Sequence, residues 1–421
     1  MSKPTVILGA GFTGLFTALH LCNKRYSQPV VLIDQAERFA FKPLLYELLS
    51  NEMTLDQVAP RYEELLNCSN IAYIQDSISN IDLEQRKVKL SSGLNYDYNN
   101  LVLALGSKAN YFNIRGASEH AFSFRNSDHV NRLKTHLRHC LQRASQTEND
   151  ALRRSLLTVA IVGAGPAGIE MALTMADLLP QWYFPLGGNI QEIRVVILNR
   201  SQEILKGDIN SHLQETASKA MANRSIPVIL ESEASVQGVA REFLEYEQQG
   251  NLQRLDCFTT IWTAGNTVNP LIASLPISQD LRDRRGRLQV TPTLQLPDFP
   301  EVFAAGDCAY ADSKLPATAQ VAYQQGEAIA HNLTALSKGQ PLKAAAVHLR
   351  GTMMKLGLGA GAANMFDRLI LGGQVGHLVR EATYLELLPN SVHNFKATTQ
   401  WLTDELFHHH RQKIKQPSTI S

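Results

Sequence analysis

Thr5 to Gly14 reads TVILGAGFTG, and the same device returns at Thr158 to Gly168 as TVAIVGAGPAG. In each copy a β-branched, apolar strand runs into three glycines. They are Gly9, Gly11 and Gly14 in the first copy, and Gly163, Gly165 and Gly168 in the second. The spacing suits a dinucleotide. The first glycine permits a tight turn, the second lets backbone approach a pyrophosphate, and the third lets helix pack on strand. The following helix presents free N–H groups and its positive dipole end to the phosphates.

Working outward, Leu15 to Leu21 have the apolar spacing of a buried helix, and a second strand, Val30 to Ile33, ends in Asp34. An acid there is placed to hydrogen-bond a ribose hydroxyl. Another strand, Arg194 to Leu198, follows the second copy. One glycine turn between strand and helix is a weak signal, because ordinary α/β domains use such turns. Two copies, the first with its acid, point to two different dinucleotides on one chain. A third element, PEVFAAGDC from Pro300 to Cys308, reads as a short buried strand ending in Gly306 and Asp307. If that strand joins the first unit, the first unit is discontinuous and the second is inserted in it.

Composition sets outer bounds. A chain of 421 residues is long enough for two or three cores. Lys plus Arg is 40 against 39 Asp plus Glu, a balance that speaks against a dedicated nucleic-acid binder. Cys22, Cys68, Cys140, Cys257 and Cys308 show no zinc spacing and no C-x-x-C pair, which fits free thiols in a reducing compartment. The short apolar strand at the N-terminus is no signal peptide. No window approaches the roughly 18 apolar residues of a spanning helix. The expectation is a soluble or peripheral protein.

With these residues in place, the chain resembles the two-dinucleotide flavoproteins and, more narrowly, the type II NAD(P)H dehydrogenases. The likeness runs from Thr5 to about Trp401 and includes FKPLLYELLS (Phe41–Ser50), LVLALGS (Leu101–Ser107), TIWTAG (Thr260–Gly265) and AQVAYQQG (Ala319–Gly326). The variant after Lys42 and Pro43 is similar to the cyanobacterial and plastid branch. The resemblance implies an α/β fold with two Rossmann-like units. FAD would occupy the discontinuous one, residues 1–119 and 266–340. NADPH or NADH would use the inserted one, residues 120–265. A C-terminal section, residues 341–421, would cover a quinone site and rest on the membrane.

The resemblance further implies that Gly9, Gly11, Gly14, Asp34, Lys42, Pro43, Gly106, Gly306, Asp307 and Ala319 surround the flavin. Gly163, Gly165, Gly168 and Gly265 would approach the NAD(P)H. Asn199 and Arg200 stand where an NADH-specific strand end would carry an acid. An arginine there can pair with a 2′-phosphate, which favours NADPH. Glu170 would lie beside the nicotinamide and flavin rings, lining the path between the two substrates, orienting the donor or delivering protons. Gln320 and Gln324, four apart and on one helical face, would hydrogen-bond quinone carbonyls. The bland readings are a dipole-stabilised acid for Glu170, and glutamines satisfying backbone.

Val392, Phe395, Leu402 and Leu406 share one helical face, followed by His408 to Arg411, Lys413 and Lys415. That pattern suits a membrane surface. The adjacent histidines point different ways, and no metal is assigned. The resulting expectation is an FAD-dependent NAD(P)H:quinone oxidoreductase that pumps no protons and sits on the cytoplasmic or stromal membrane face. It would act on demethylphylloquinone or another naphthoquinone, and a homodimer stays open. Two rivals stand beside it: a reductase of a soluble carrier such as ferredoxin or rubredoxin, and a non-catalytic NAD(P)H-sensing flavoprotein. A disulfide or sulfide–quinone reductase would need a cysteine pair near the flavin.

Overall fold

The computed structural model describes residues 3–66, 70–207, 211–311, 315–365, 369–389, 394, 397–399 and 401. Strand β1 (Thr5–Leu8) is buried at all four positions, as a central parallel strand covered on both faces must be. It turns through the first glycines into α1 (Phe12–Asn23), and the chain returns as β2 (Val30–Asp34). A short helix, α2 (Leu45–Ser50), follows, then β3 (Ile71–Gln75) and β4 (Asn100–Leu103).

The second parallel sheet begins after the long helix α3 (Ser127–Gln146). Strand β5 (Thr158–Val162) leads through the second glycine turn into α4 (Pro166–Tyr183), then β6 (Arg194–Asn199), β7 (Val228–Ser232) and β8 (Thr259–Trp262). Its strand order is β7-β6-β5-β8. Strand β9 (Val302–Ala304) then returns to the first sheet and pairs in parallel with β4, which gives that sheet the order β9-β4-β1-β2-β3. The residues around the PEVFAAGDC segment therefore complete the first sheet, with the whole second sheet interposed in sequence. The chain crosses between the two on an antiparallel pair, Ser107–Ala109 with Asn266–Val268.

Helix α5 (Ala319–Ser337) packs on α1 at small residues. A Cβ added at Gly326 would lie 2.6 Å from the Thr13 carbonyl oxygen, so only glycine allows this approach. Thr13 and Thr17 donate across the contact to the carbonyls of Ala322 and Gly326. Beyond α5 come β10 (Gly351–Lys355), β11 (Gly361–Met365), β12 (Leu369–Gly372) and α6 (Gly373–Glu386), an antiparallel sheet with its own helix. No helix among the described residues is long and apolar enough to cross a membrane.

One expectation needs correction. Cys22 is disulfide-bonded, whereas Cys140, Cys257 and Cys308 are free and buried, so five free thiols is not the state of this fold. Helix α4 runs through Pro180 to Tyr183, whose ring is buried. The C-terminal positions Val392, Phe395, Leu402 and Leu406 and the basic tail lie outside the described residues.

Candidate active site

The two glycine turns share one geometry. Gly9 has φ +93° and Gly163 φ +104°, conformations open to glycine alone at little cost. A Cβ on Gly14 would sit 1.8 Å from the Gly9 oxygen, and one on Gly168 would sit 1.9 Å from the Gly163 oxygen. These glycines let each helix start lie on its strand. At Gly11 and Gly165, by contrast, an added Cβ meets nothing within 4 Å. Those positions face open space, as backbone that receives a pyrophosphate should.

Asp34 ends β2, where its carboxylate accepts from Ala10 N at 2.7 Å and Ala36 N at 2.9 Å. Burial raises its pKa against these hydrogen bonds. Asn199 stands at the corresponding end of β6. Its oxygen accepts from Ala164 N at 3.4 Å, while its amide donates to Ser201 and Glu203. Arg200 is exposed, with its guanidinium 5.5 Å from the Phe112 ring centre. That ring in turn lies against Gly265, where an added Cβ would come within 2.4 Å of it.

A cavity of about 850 Å³ opens between the two units. Gly11, Lys42, Pro43, Gly106, Gly306, Asp307 and Ala319 line one part of it; Glu170, Gly265 and Gln320 line others. Gly9, Gly14, Asp34, Gly163, Gly165, Gly168, Asn199, Arg200 and Gln324 do not line it. Lys42 and Arg125 bring positive charge beside Asp307. Burial lowers the pKa of Lys42, as does the repulsion of Arg125, while Asp307 opposes both. Asp307 is held by Ser107 Oγ at 2.7 Å, and Ser107 by Arg125 at 2.7 Å. The turn before Asp307 is fixed by the buried Gln325, whose oxygen accepts from Gly306 N at 2.8 Å.

Glu170, at the start of α4, faces the cavity. Burial pushes its carboxyl up to about 7, outweighing the pull of Arg380 and of the Lys355 N–H, which donates to it at 2.8 Å. Tyr46 also lines the cavity and bonds the Ala167 carbonyl at 3.1 Å, tying the Lys42–Pro43 loop to the second glycine helix. Behind them lies a charge cluster in which Glu47, Lys355 and Arg380 are at most 1% exposed. Lys355 Nζ lies 3.0 Å from Glu47 and 2.6 Å from Glu52; Arg380 bonds Glu47 and the Pro43 carbonyl, each at 2.6 Å. Burial opposes ionisation of Glu47, yet Arg380 and Lys355 draw it down to about 2. Glu52, His377 and Glu381 also approach one another within 4.8 Å, but the Lys355 ammonium already occupies the cation's place beside Glu52.

Gln320 and Gln324 do project from one face of α5, and both amides are taken by backbone. Gln324 donates to the His348 carbonyl at 3.0 Å and accepts from His348 N at 2.9 Å. Gln320 donates to the Gly351 carbonyl at 3.0 Å and accepts from Arg350 N at 3.0 Å. Asn332, further along, does the same with Lys343. The three amides zip an extended segment along the helix and deliver β10 to the cavity, where Gly351, Thr352, Met353 and Met354 form a wall.

The sequence reading missed Gln325, Arg125, Glu47, Lys355, Arg380 and Tyr384. Only Gln325 and Glu47 lay inside quoted motifs. Lys355 and Arg380 meet Glu47 from more than three hundred residues away, and nothing local marks them.

The model of the pyridine nucleotide-disulphide oxidoreductase family matches residues 3–326. The chain is 32% identical to the alternative NAD(P)H-ubiquinone oxidoreductase C1, chloroplastic/mitochondrial, of Arabidopsis thaliana, over 95% of this chain and 80% of that protein. It is 31% identical to the demethylphylloquinone reductase NdbB of Synechocystis, over 96% of this chain and 97% of the relative. Among solved structures, NDH2 of Plasmodium falciparum shares the fold, with a TM-score of 0.83 at 18% identity over 96% of this chain and 98% of that one.

Proposed function

The chain belongs to the pyridine nucleotide-disulphide oxidoreductase family and, within it, to the type II NAD(P)H:quinone oxidoreductases, and from that membership we propose that it oxidises NAD(P)H and reduces a membrane naphthoquinone, with FAD as resident cofactor. One observation carries this reading: a single cavity is reached by the starts of both glycine helices, Gly11, Phe12 and Thr13 from one side and Pro166, Ala167 and Glu170 from the other. Its volume suits a large ligand.

The residues present fit FAD. Open space at Gly11 leaves room for a pyrophosphate, Asp34 offers an acceptor to a ribose, and Lys42, Pro43, Gly106, Gly306, Asp307 and Ala319 line the continuation. FAD when bound supplies hydride acceptance and two-electron delivery to the quinone. The chain's task is to bind, orient and move protons. Gly163, Gly165 and Gly168 receive the NAD(P)H phosphates, Gly265 borders the donor's path, and Arg200 beside Asn199 selects for a 2′-phosphate. Glu170, poised near neutrality, holds a proton at the cavity for the quinone oxygen. Gln320 and Gln324 act by holding the cavity wall, with the Met353 and Tyr384 side chains shaping the quinone end. Residues 1–119 with 266–340 form the FAD unit, and 120–265 the NAD(P)H unit.

The section 341–421 rests on a membrane surface at the cytoplasmic or stromal face. In support, Val375 and Leu378 on α6 and Leu349 beside the cavity are exposed apolar side chains. Self-association into a homodimer is the alternative use of that face, and sedimentation in detergent-free buffer separates the two. Purified protein given FAD, NADPH or NADH, and a naphthoquinone should oxidise the donor continuously. Oxidation that halts after one flavin equivalent, or that requires a soluble carrier protein, overturns the assignment.

A further inference from the structure

We propose that the tip following α4, Trp182 to Leu186, is a separate lipid-contact element that seats in an anionic membrane surface. It rests on the reading that the acceptor is a membrane quinone. The geometry at the tip is specific. Tyr183 is buried, and Gly188 lies so close over its ring that an added Cβ would come within 2.3 Å. Gly187, at φ +79°, closes the turn. With Tyr183 turned inward and the chain reversing, the next side chains face solvent: Phe184 is 72% exposed and Leu186 45%, with Pro185 exposed between them. A single exposed apolar residue needs no explanation, but a projecting Phe-Pro-Leu tip does.

The charge around the tip identifies its occupant. The guanidinium of the exposed Arg138 lies 4.7 Å from the centre of the Trp182 ring at the base of the tip. A neighbouring depression brings Arg153, Arg154 and Arg194 together with Asp150 and Glu192; Arg153 pairs with both acids, which leaves Arg154 and Arg194 as the excess cations. Aromatic and aliphatic side chains at the front with excess cations behind match the interface of an anionic bilayer, where rings settle at headgroup level and arginines meet phosphates. The turn after β10 lies along the same helix, since Asp177 accepts from Leu358 N at 2.9 Å and pairs with Arg224 at 3.3 Å. The tip therefore extends the flank that carries the C-terminal sheet. It stands thirteen residues, roughly 20 Å, along α4 from Glu170.

The test uses the full chain with FAD and vesicles of phosphatidylcholine with or without phosphatidylglycerol. F184S/L186S should lower partitioning onto anionic vesicles roughly tenfold or more. Turnover with a vesicle-embedded quinone should fall with it, while turnover with a soluble short-chain naphthoquinone stays unchanged. R138S/R154S should remove the preference for anionic over neutral vesicles. Both double variants alter surface side chains, and an unchanged melting temperature confirms intact folding. F184S/L186S binding anionic vesicles as tightly as the unaltered chain overturns the proposal. So does a dimer that dissociates in this variant while vesicle binding persists, which would make the tip a self-association face. If the unaltered chain fails to reduce the soluble quinone yet F184S/L186S still releases it from vesicles, the acceptor reading fails and the lipid contact stands.

Discussion

Residues 5–34 and 158–199 are two versions of one cradle. Leu8 pairs with Ile33 as Val162 pairs with Leu198, and the Gly9 and Gly163 amides donate to those partners' carbonyls at 2.8 and 2.9 Å. The first and third glycines meet in the same way in both. Among the places where the versions differ, two bear on the chemistry. At the end of the second strand, the first cradle has Asp34 and the second has Asn199 followed by Arg200. Two residues past the third glycine, the first has Phe16, packed on Phe12 and Tyr323, and the second has Glu170, facing the cavity. The glycines set the backbone, which is the same for any dinucleotide. The variable positions decide whether a helix start presents an apolar ring or a carboxyl group.

The strongest way to break this comparison is to add a methyl to each third glycine. G14A should purify without yellow colour even when FAD is supplied, because the methyl would drive α1 off its strand; overpacking of this kind costs about 1–3 kcal/mol or more. G168A should stay yellow while its flavin is bleached by NADPH at least a hundredfold more slowly. Equal retention of flavin in G14A and the parent would mean that the first cradle is structural only.

Next in size is Glu170→Gln. It should lower quinone turnover by about a hundredfold with little change in the KM for NADPH, the effect expected of a lost proton donor. The pH dependence gives the sign. Burial raises the Glu170 carboxyl to about 7, so it is protonated below that pH, and turnover that relies on its proton should decline as pH rises through 7. E170Q should flatten that limb. A variant that keeps the bend removes Glu170 from proton transfer.

Smaller effects concern the strand ends. Asp34→Asn gives the first cradle the second's chemistry, and flavin affinity should fall about tenfold through loss of a charged hydrogen bond. Arg200→Glu should shift the NADPH-to-NADH ratio of kcat/KM by about tenfold towards NADH; no shift would show that Arg200 is only a surface charge on Phe112. Gln324→Ala should be mildest, a few-fold rise in quinone KM through a loosened cavity wall, with donor kinetics unchanged.

The cradles were legible because each is local. Strand, three glycines and the first turn of the helix lie within eleven residues, and their chemistry follows from backbone sterics. Asp34 and the Gly306–Asp307 turn were likewise readable as strand ends. The glutamines show where that ended. Their spacing revealed a shared face of α5, but not that His348, Arg350 and Gly351 would run along it and take both amides. That choice belongs to a segment some twenty-four to thirty-one residues away.

Sequence alone determined that two strand–glycine–helix turns exist and which glycines build them, since φ values and close approach are properties of short stretches. Only the tertiary structure decided that β9 returns to the first sheet and that Glu170 shares a cavity with Lys42 and Tyr384. It also decided that Lys355 and Arg380 hold a buried Glu47 ionised. Burial and paired charge depend on what surrounds a side chain. Here the surroundings come from segments more than three hundred residues apart.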